Sequence, residues 1–462
     1  MKKALSVLVL YCLLACQSKK DPVDYVIISG KISNLDSKEV SLTAINGEFK
    51  KQIPVEDNGI FRDTLRLFPK VPYVLSDGTH FIDLYFENGY DLILTYDAKH
   101  YENTLKFRGT GSALNEYFHV KQKKTIEIWG GDAEKVYSLK EPEFIAKMQG
   151  LSNALKELLK NTDSIPEEIR KKESRNIDYE RLIIYSSYLD SAHAEFTNNS
   201  NFKASEKITG PLDSLAYDIE EDFNYSKRYR SLARRYYANK AEELSKKDSV
   251  AYNTAFLETM KNISIDNIRN ALLFNGVKYS LPYSKNMDAD YQSFMEISTS
   301  TYHKKEITAS FNKLKMLASG EVSPVFTDLE NHAGGTASLS DFKGKYVYID
   351  VWATWCAPCI AEIPALKEME ELYSGKNIAF LSISIDNKKQ YQAWRDMVTE
   401  KALGGIQLIA ENAWESKFVQ AYQIMGIPRF ILIDPEGKIV NAKAPAPSNV
   451  GLKPLLNELL DI

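Results

Sequence analysis

The chain has 462 residues, 44% of them hydrophobic and 26% charged. That composition excludes wholesale disorder, a collagen-like repeat and a polytopic membrane protein, and the length suggests about three domains at roughly 150 residues each. A formal net charge of −4 counts against a nucleic-acid binder, which carries a basic excess, and only four cysteines exclude a disulfide-rich scaffold.

The chain opens with MKKALSVLVLYCLLACQSKKD. Lys2 and Lys3 form a basic n-region, and the apolar run Ala4–Leu14 is too short to span a bilayer but suits a signal-peptide h-region. Leu13-Leu14-Ala15-Cys16 resembles the bacterial lipobox. The resemblance implies a lipoprotein signal peptide over 1–15, lipidation at Cys16, a polar tether over 16–23 and a periplasm-facing cell-envelope location. Gln17 stands where an Asp would resemble an inner-membrane retention signal. A plain signal peptide with an incidental cysteine, or an uncleaved anchor, is the alternative. Cys12 would leave with the signal and Cys16 would carry lipid, so Cys356 and Cys359 are the thiols left to the mature chain.

Residues 24–110 read as a β-rich domain. Tyr25–Ile32 is a β-prone run, and Val40, Leu42 and Ala44 alternate with polar neighbours at period two. Asn58-Gly59 and Asn88-Gly89 are hairpin turn signals, the second flanked by Leu84, Phe86, Leu92 and Leu94. A small antiparallel sandwich or barrel is expected. Residues 111–317 show helical periodicity, as in Phe144–Leu159, Tyr179–Phe196 and Leu212–Leu244, and an antiparallel helical domain is expected. Lys227, Arg228, Arg230, Arg234 and Arg235 interleave with tyrosines there. Stacking on single-stranded nucleic acid is one reading. The acidic neighbours Glu220, Glu221 and Asp222 favour a solvated helix face with tyrosines turned inward, so no nucleic-acid partner is expected.

From 318 to 462 strands and helices alternate. Tyr346–Trp352, Ile378–Ile385 and Phe430–Ile433 read as strands, with Lys438–Val440 returning after the Asp434-Pro435-Glu436-Gly437 turn. Cys359–Leu372 and Gly451–Leu460 read as helices. This order needs a sheet with helices on both faces. The expected architecture is therefore multidomain: an all-β N-terminal domain, a central helical domain and a C-terminal α/β domain.

Trp355-Cys356-Ala357-Pro358-Cys359 falls at a strand-to-helix junction. Free N–H groups and the dipole at a helix start stabilise an anion, so Cys356 is expected to be an exposed, low-pKa attacking thiolate. Cys359, one turn further in, is expected to be shielded and to resolve a mixed disulfide. Pro358 is tolerated because a first helical turn has no intrahelical donor to lose. Zinc would need two more ligands, and none of the six His forms a close pair, so no metal is expected. A purely structural Cys-x-x-Cys disulfide closes too small a loop to add much stability.

Ser323-Pro324-x-Phe326, Ser338–Lys345, Asp350–Cys359 and Met425-Gly426-Ile427-Pro428 together resemble the TlpA/ResA branch of the thioredoxin superfamily over 318–462. The segment around Trp394–Tyr422 resembles the TlpA-type insertion. The upstream regions more distantly resemble the N-terminal extensions of Bacteroidetes TlpA-like lipoproteins. The family resemblance implies a thioredoxin-like fold, a redox-active Cys356–Cys359 disulfide and a cis Pro428 packed against it. Ile427 would offer backbone hydrogen bonds to an extended substrate. It also implies a reducing direction, with a membrane thiol electron donor and exported protein thiols or disulfides as partners, apocytochrome c among the candidates. Asp350 stands where thioredoxins keep a buried acid, which could exchange a proton with Cys359, although many TlpA-like proteins carry Asn there; an exposed strand-end Asp is the alternative. Glu362 matches an acidic position of ResA-like members that tunes cysteine acidity, or is an ordinary surface residue. Trp355 is expected to shield the disulfide and shape the docking surface, or simply to pack.

The expected function is a membrane-tethered thiol–disulfide oxidoreductase needing no cofactor. An isomerase or oxidant and a partner-binding lipoprotein with an accessory redox domain are the alternatives. A peroxiredoxin is disfavoured because Ile349 and Ala353 replace the Pro and Thr/Ser of its motif.

Overall fold

The alternating apolar residues of the first hundred positions build two four-stranded sheets around one shared core. The strands are β1 (Val26–Ser33), β2 (Glu39–Ala44), β3 (Lys50–Pro54), β4 (Ile60–Leu65), β5 (Pro72–Ser76), β6 (Phe81–Tyr85), β7 (Asp91–Asp97) and β8 (Lys106–Gly109). One sheet runs β4-β1-β7-β8 and the other β3-β2-β5-β6. Val26, Ile28 and Leu94 of the first meet Val40, Leu42 and Leu84 of the second in one buried cluster. The expectation of a purely antiparallel sandwich needs one correction, because β1 and β7 pair in parallel. The two Asn-Gly turns also do not close hairpins. Asn58-Gly59 carries the chain from β3 to β4, and Asn88-Gly89 from β6 to β7, each time crossing from one sheet to the other. The local need for a residue with positive φ is real (Gly59 at 83°, Gly89 at 88°). A turn signal specifies the backbone bend and not the pairing partner.

The structure is a computed structural model describing residues 23–67, 71–163, 165–284 and 286–462. The signal-peptide reading over 1–15 and the lipidation reading at Cys16 lie outside the described residues, as does the tether up to residue 22. Among the described residues no helix is long and apolar enough to cross a membrane. The chain divides into two compact units, Met1–Tyr237 and Ala238–Ile462, so the helical region contributes to both.

In the first unit, helices cover Ser112–Trp129, Glu141–Lys160 and Glu167–Ser187. The last passes through a wider turn, Tyr188–Ala192, into His193–Thr197, so the expected Tyr179–Phe196 segment is helical with an irregular turn. The stretch Leu212–Leu244, read as helical from its periodicity, falls in parts of Glu206–Asp213, Glu220–Tyr225 and Lys227–Asp248, the last running on past the end of this unit. Side-chain hydrogen bonds mark the breaks. Tyr229 Oη accepts from Ile219 N and donates to Ala216 O, and Asp222 is held by Arg175 and the Tyr179 hydroxyl. Ser226 is extended and its hydroxyl accepts from Tyr229 N. The basic cluster is tied down at several points. Lys227 pairs with Asp83, Arg228 with Glu180, and Arg235 donates to Ser186 Oγ, while Tyr229 is fully buried.

In the second unit, helices Tyr252–Lys261, Asp266–Ser280, Met287–Ile297 and Thr301–Lys315 precede an α/β domain. Its strands are β9 (Leu329–Asn331), β10 (Thr336–Ala337), β11 (Tyr346–Trp352), β12 (Ile378–Ser384), β13 (Ile406–Ile409), β14 (Arg429–Ile433) and β15 (Ile439–Asn441), in the order β10-β9-β13-β12-β11-β14-β15. β11 is central. It runs parallel to β12 and antiparallel to β14, and residues 347–352 are all buried. That explains its almost unbroken apolar sequence, since a strand covered on both faces has no polar side to show.

Asn115 joins sheet to helix in the first unit. Fully buried, its side chain accepts from Tyr85 N (2.8 Å) and donates to Tyr85 O (3.1 Å) and Gly111 O (2.9 Å). Asn115→Ala strands the buried Tyr85 amide, and a loss of about 2–3 kcal/mol is expected. Native-state hydrogen exchange at the Tyr85 amide checks it; unchanged protection contradicts it.

Candidate active site

β11 delivers the chain through Ala353, Thr354 and Trp355 to Cys356, which caps the helix Ala357–Leu372. The helix starts two residues earlier than its apolar pattern suggested, because Pro358 can occupy the first turn without losing a hydrogen bond. Cys356 Sγ accepts from the backbone N of Cys359 at 3.2 Å, the position a Ser or Asp side chain takes at an ordinary helix start. Cys356 and Cys359 are joined as a disulfide with Cα atoms 5.2 Å apart. The expectation that Cys356 is exposed does not hold in this disulfide form, where Cys356 is 4% and Cys359 3% exposed. The Cys356 sulfur is folded over the helix start to meet the Cys359 amide rather than turned outward. What separates the two cysteines is therefore position on the helix. Trp355 stands 49% exposed beside them, its ring 6.4 Å from that of Trp414.

The approach loop is pinned from the neighbouring strand. Asp386, 2% exposed just beyond β12, accepts from Thr354 N (3.0 Å), Thr354 Oγ1 (2.8 Å) and Ser384 Oγ (2.8 Å). Sequence reasoning missed Asp386; an acid directly after a buried strand was the available signal. On the other side of β11, the Ile427–Pro428 bond is cis and leads into β14, whose Arg429 registers opposite Val351. Pro428 therefore lies alongside the end of β11 that feeds the cysteines.

A second group comes from the helical segment of the same unit. Tyr283 Oη lies 3.9 Å from where a β-carbon on Gly426 would be, with the Arg429 guanidinium 5.7 Å and Lys443 Nζ 5.2 Å from its ring. Arg429 is buried and donates through Nε to Ala442 O at 2.9 Å. Burial and the Arg429 charge push Lys443 down to about 8. No motif marks Tyr283, since it lies far up the chain in a different kind of segment.

The acids occupy distinct environments. Asp350 lies on β11 between Ser382 and Phe430 and is 8% exposed. Burial pushes its carboxyl up to about 8, the Glu362 and Glu370 charges add to the rise, and the Ser382 hydroxyl opposes it. Glu362 is half-buried and turned to the loop before the last helix, accepting from Ser448 N (2.9 Å) and Ser448 Oγ (2.7 Å). Glu370, which sequence reasoning passed over, is pushed up to about 7 by burial, with Lys367 pulling the other way.

The α/β domain matches the Redoxin family model over residues 318–455. The chain is 30% identical over 140 residues to the thiol-disulfide oxidoreductase ResA of Bacillus cereus, covering 28% of this chain and 72% of that one. It is likewise 30% identical over 144 residues to the thioredoxin-like protein YneN of Bacillus subtilis, covering 30% and 74%. Among solved structures, a thiol-disulfide oxidoreductase from Bacteroides fragilis is 30% identical, with 30% of this chain and 100% of that one covered and a TM-score of 0.28. The thioredoxin domain of a thiol-disulfide oxidoreductase from Bacteroides vulgatus is 30% identical, with 31% and 99% covered and a TM-score of 0.28. A thioredoxin-like domain with these sequence relatives defines an enzyme of protein thiol–disulfide exchange. The chain belongs to the ResA/TlpA-like thiol–disulfide oxidoreductases.

The burial of Asp350 has a signature in stability. Its carboxyl titrates near about 8 when folded and near about 3.9 when unfolded, so the native state holds the extra proton between those values. This group's contribution is fully present below about pH 4 and is lost as pH rises through about 8. Asp350→Asn is expected to gain stability over wild type across that window, by on the order of a few kcal/mol at pH 8 and above. Urea unfolding of both proteins from pH 4 to 9 checks it; a constant difference contradicts it.

Proposed function

We propose that the protein is a lipid-anchored reductase of the cell envelope that exchanges disulfides of exported proteins through Cys356 and Cys359, with 318–462 as its redox domain. The observation that carries this reading is the Cys356 sulfur seated at the N-terminus of a sixteen-residue helix, accepting the Cys359 amide. The Cys359 amide and the positive end of the helix dipole favour a thiolate there. In the reduced protein the Cys356 thiolate attacks a substrate disulfide. One substrate sulfur leaves as thiolate and is protonated, and the other is held as a mixed disulfide. Cys359 then loses its proton and attacks Cys356 Sγ. The mixed disulfide breaks, the second substrate sulfur leaves, and the Cys356–Cys359 bond forms, so the substrate gains the two electrons the protein loses.

Asp350 exchanges the Cys359 proton, Glu362 sets the acidity of the cysteines from the helix, and Trp355 borders the docking surface. Ile427 and Pro428 receive the substrate as an extended strand. A membrane thiol donor returns the electrons, and apocytochrome c thiols or misoxidised envelope proteins are the target class. The N-terminal segment supports export: signal 1–15, lipid on Cys16, tether 16–23. Along the chain, the β-rich (24–110) and helical (111–317) domains follow the anchor and precede the redox domain. The reducing direction and the envelope location rest on the resemblance to ResA and on the N-terminal sequence.

Two measurements test the proposal. Equilibration of the chain lacking residues 1–20 against defined thiol buffers is expected to give a potential near or below about −270 mV, the thioredoxin range. A value near about −120 to −180 mV, toward DsbA and disulfide isomerase, contradicts the reducing direction. Cys359→Ser is expected to accumulate covalent mixed disulfides through Cys356 in envelope extracts, resolved by reductant on a gel. If partner recovery survives loss of both cysteines, binding and not exchange is the principal role.

A further inference from the structure

Behind the cysteines, β11, β12, β13 and the helix Ala357–Leu372 enclose a small pocket with room for a single water molecule. Asp350 and Glu370 both line it, with Ser382, Gln407, Trp352 and Gly404. Two polar atoms in its wall, Trp352 Nε1 and Gln407 Oε1, are buried with no hydrogen-bond partner among the described residues. Their residues are 2% and 5% exposed. A donor and an acceptor left bare in a polar pocket between two carboxyl groups are what a bridging water satisfies. Room for Glu370 is built in. A β-carbon on Gly404 would lie 2.0 Å from Glu370 Oε2, and one on Gly405 2.7 Å from Oε1. On the helix, Cys359, Ile363, Leu366 and Glu370 follow the spacing of one inward face, so the carboxylate lies three turns along from the resolving sulfur.

We propose that Asp350 and Glu370 form a two-carboxyl proton path, in which the proton leaving Cys359 passes to Asp350, crosses the pocket to Glu370 and reaches solvent beside Gly404. The inference rests on the exchange reaction proposed for Cys356 and Cys359. When Cys359 attacks Cys356 Sγ, its S–H bond breaks, the new S–S bond forms and the substrate sulfur departs with the electron pair of the mixed disulfide. The departing thiolate takes its proton from solvent, while the Cys359 proton must leave a site closed to water. Asp350, itself protonated near neutral pH, takes it as its own proton passes through the pocket water to the Glu370 carboxylate. Asp350 cannot keep it for the next cycle, and Glu370, half-buried and open to solvent on one side, removes it. Glu370 acts through Asp350 and is a positioning residue for the proton.

The groups facing the pair are Tyr348 from β11, Ser382 from β12, Gln407 from β13, and Glu362 and Lys367 from the helix. The nearby Glu362 and Glu370 charges oppose ionisation of Asp350.

The test is the lifetime of the mixed disulfide formed when the reduced protein meets a disulfide-bonded peptide, followed by acid quench and mass spectrometry from pH 5 to 10. Glu370→Gln keeps the shape and removes the proton carrier. It is expected to lengthen that lifetime at least tenfold at pH 7 and to converge on wild type at the alkaline end, where solvent deprotonates Cys359 directly. Asp350→Asn together with Glu370→Gln is expected to be no slower than Asp350→Asn alone, because both lie on one path. Gly404→Ala displaces the Glu370 carboxylate without removing it and is expected to give the same altered pH profile, which guards against misfolding of the Gln variant. A wild-type lifetime and pH profile in Glu370→Gln or in a folded Gly404→Ala, or additive effects of the two acids, overturns the path. A wild-type protein that forms no mixed disulfide overturns the exchange reading itself, a separate and distinguishable result.

Discussion

The Cys356 sulfur at the start of a helix is the contact on which the rest of the active domain depends. A thiolate is a poor anion for a protein interior, and a helix N-terminus offers it unpaired N–H donors and a favourable dipole at once. The Cys359 amide already points at that sulfur in the disulfide form, so reduction leaves the anion facing a donor that is in place. Holding this arrangement requires a rigid launch point. β11, buried along nearly its whole length, supplies it, and the Asp386 carboxylate fastens Thr354 of the approach loop. β14 on the opposite side brings the cis Ile427–Pro428 bond alongside the same strand end. One strand therefore positions Cys356 and, through its antiparallel neighbour, the Ile427–Pro428 bond proposed to receive a substrate strand.

The same strand carries an opposing constraint. Asp350 is buried where ionisation is costly, and the Glu362 and Glu370 charges make it costlier still. A carboxyl kept neutral near physiological pH destabilises the fold when it ionises and is useful only where protons move. Attraction of an anion at the helix start and resistance to an anion one layer below it give the two cysteines different surroundings, although they are equally hidden from solvent.

The sequence made this domain legible to the extent that its signals are local. β11, β12 and β14 announce themselves as apolar runs, and the Cys-x-x-Cys helix is marked by Pro358 at its first turn. Asp350 was visible from its distance to Cys356. Glu370, Asp386 and Tyr283 were not, because each acts through a contact made across the fold: Glu370 against Gly404 and Gly405, Asp386 against Thr354, Tyr283 beside Gly426. The same limit explains the corrections upstream. Asn58-Gly59 and Asn88-Gly89 state that the backbone bends, and only the packing of two sheets decides that it bends from one into the other. The helical stretch read over Leu212–Leu244 is interrupted where Asp222 and Ser226 find partners outside it and Tyr229 folds back on Ile219 and Ala216, which periodicity does not encode.

Alkylation tests the inequality of the two cysteines most directly. The reduced protein would be pulsed with iodoacetamide between pH 4 and 9, and modification at Cys356 and Cys359 read separately by mass spectrometry. The expected result is reaction at Cys356 with a midpoint well below the free-thiol value of about 8.5, and protection of Cys359 until the protein unfolds. Equal reactivity of both cysteines with a midpoint near about 8.5, or faster reaction at Cys359, would contradict the claim that the helix start selects and activates Cys356.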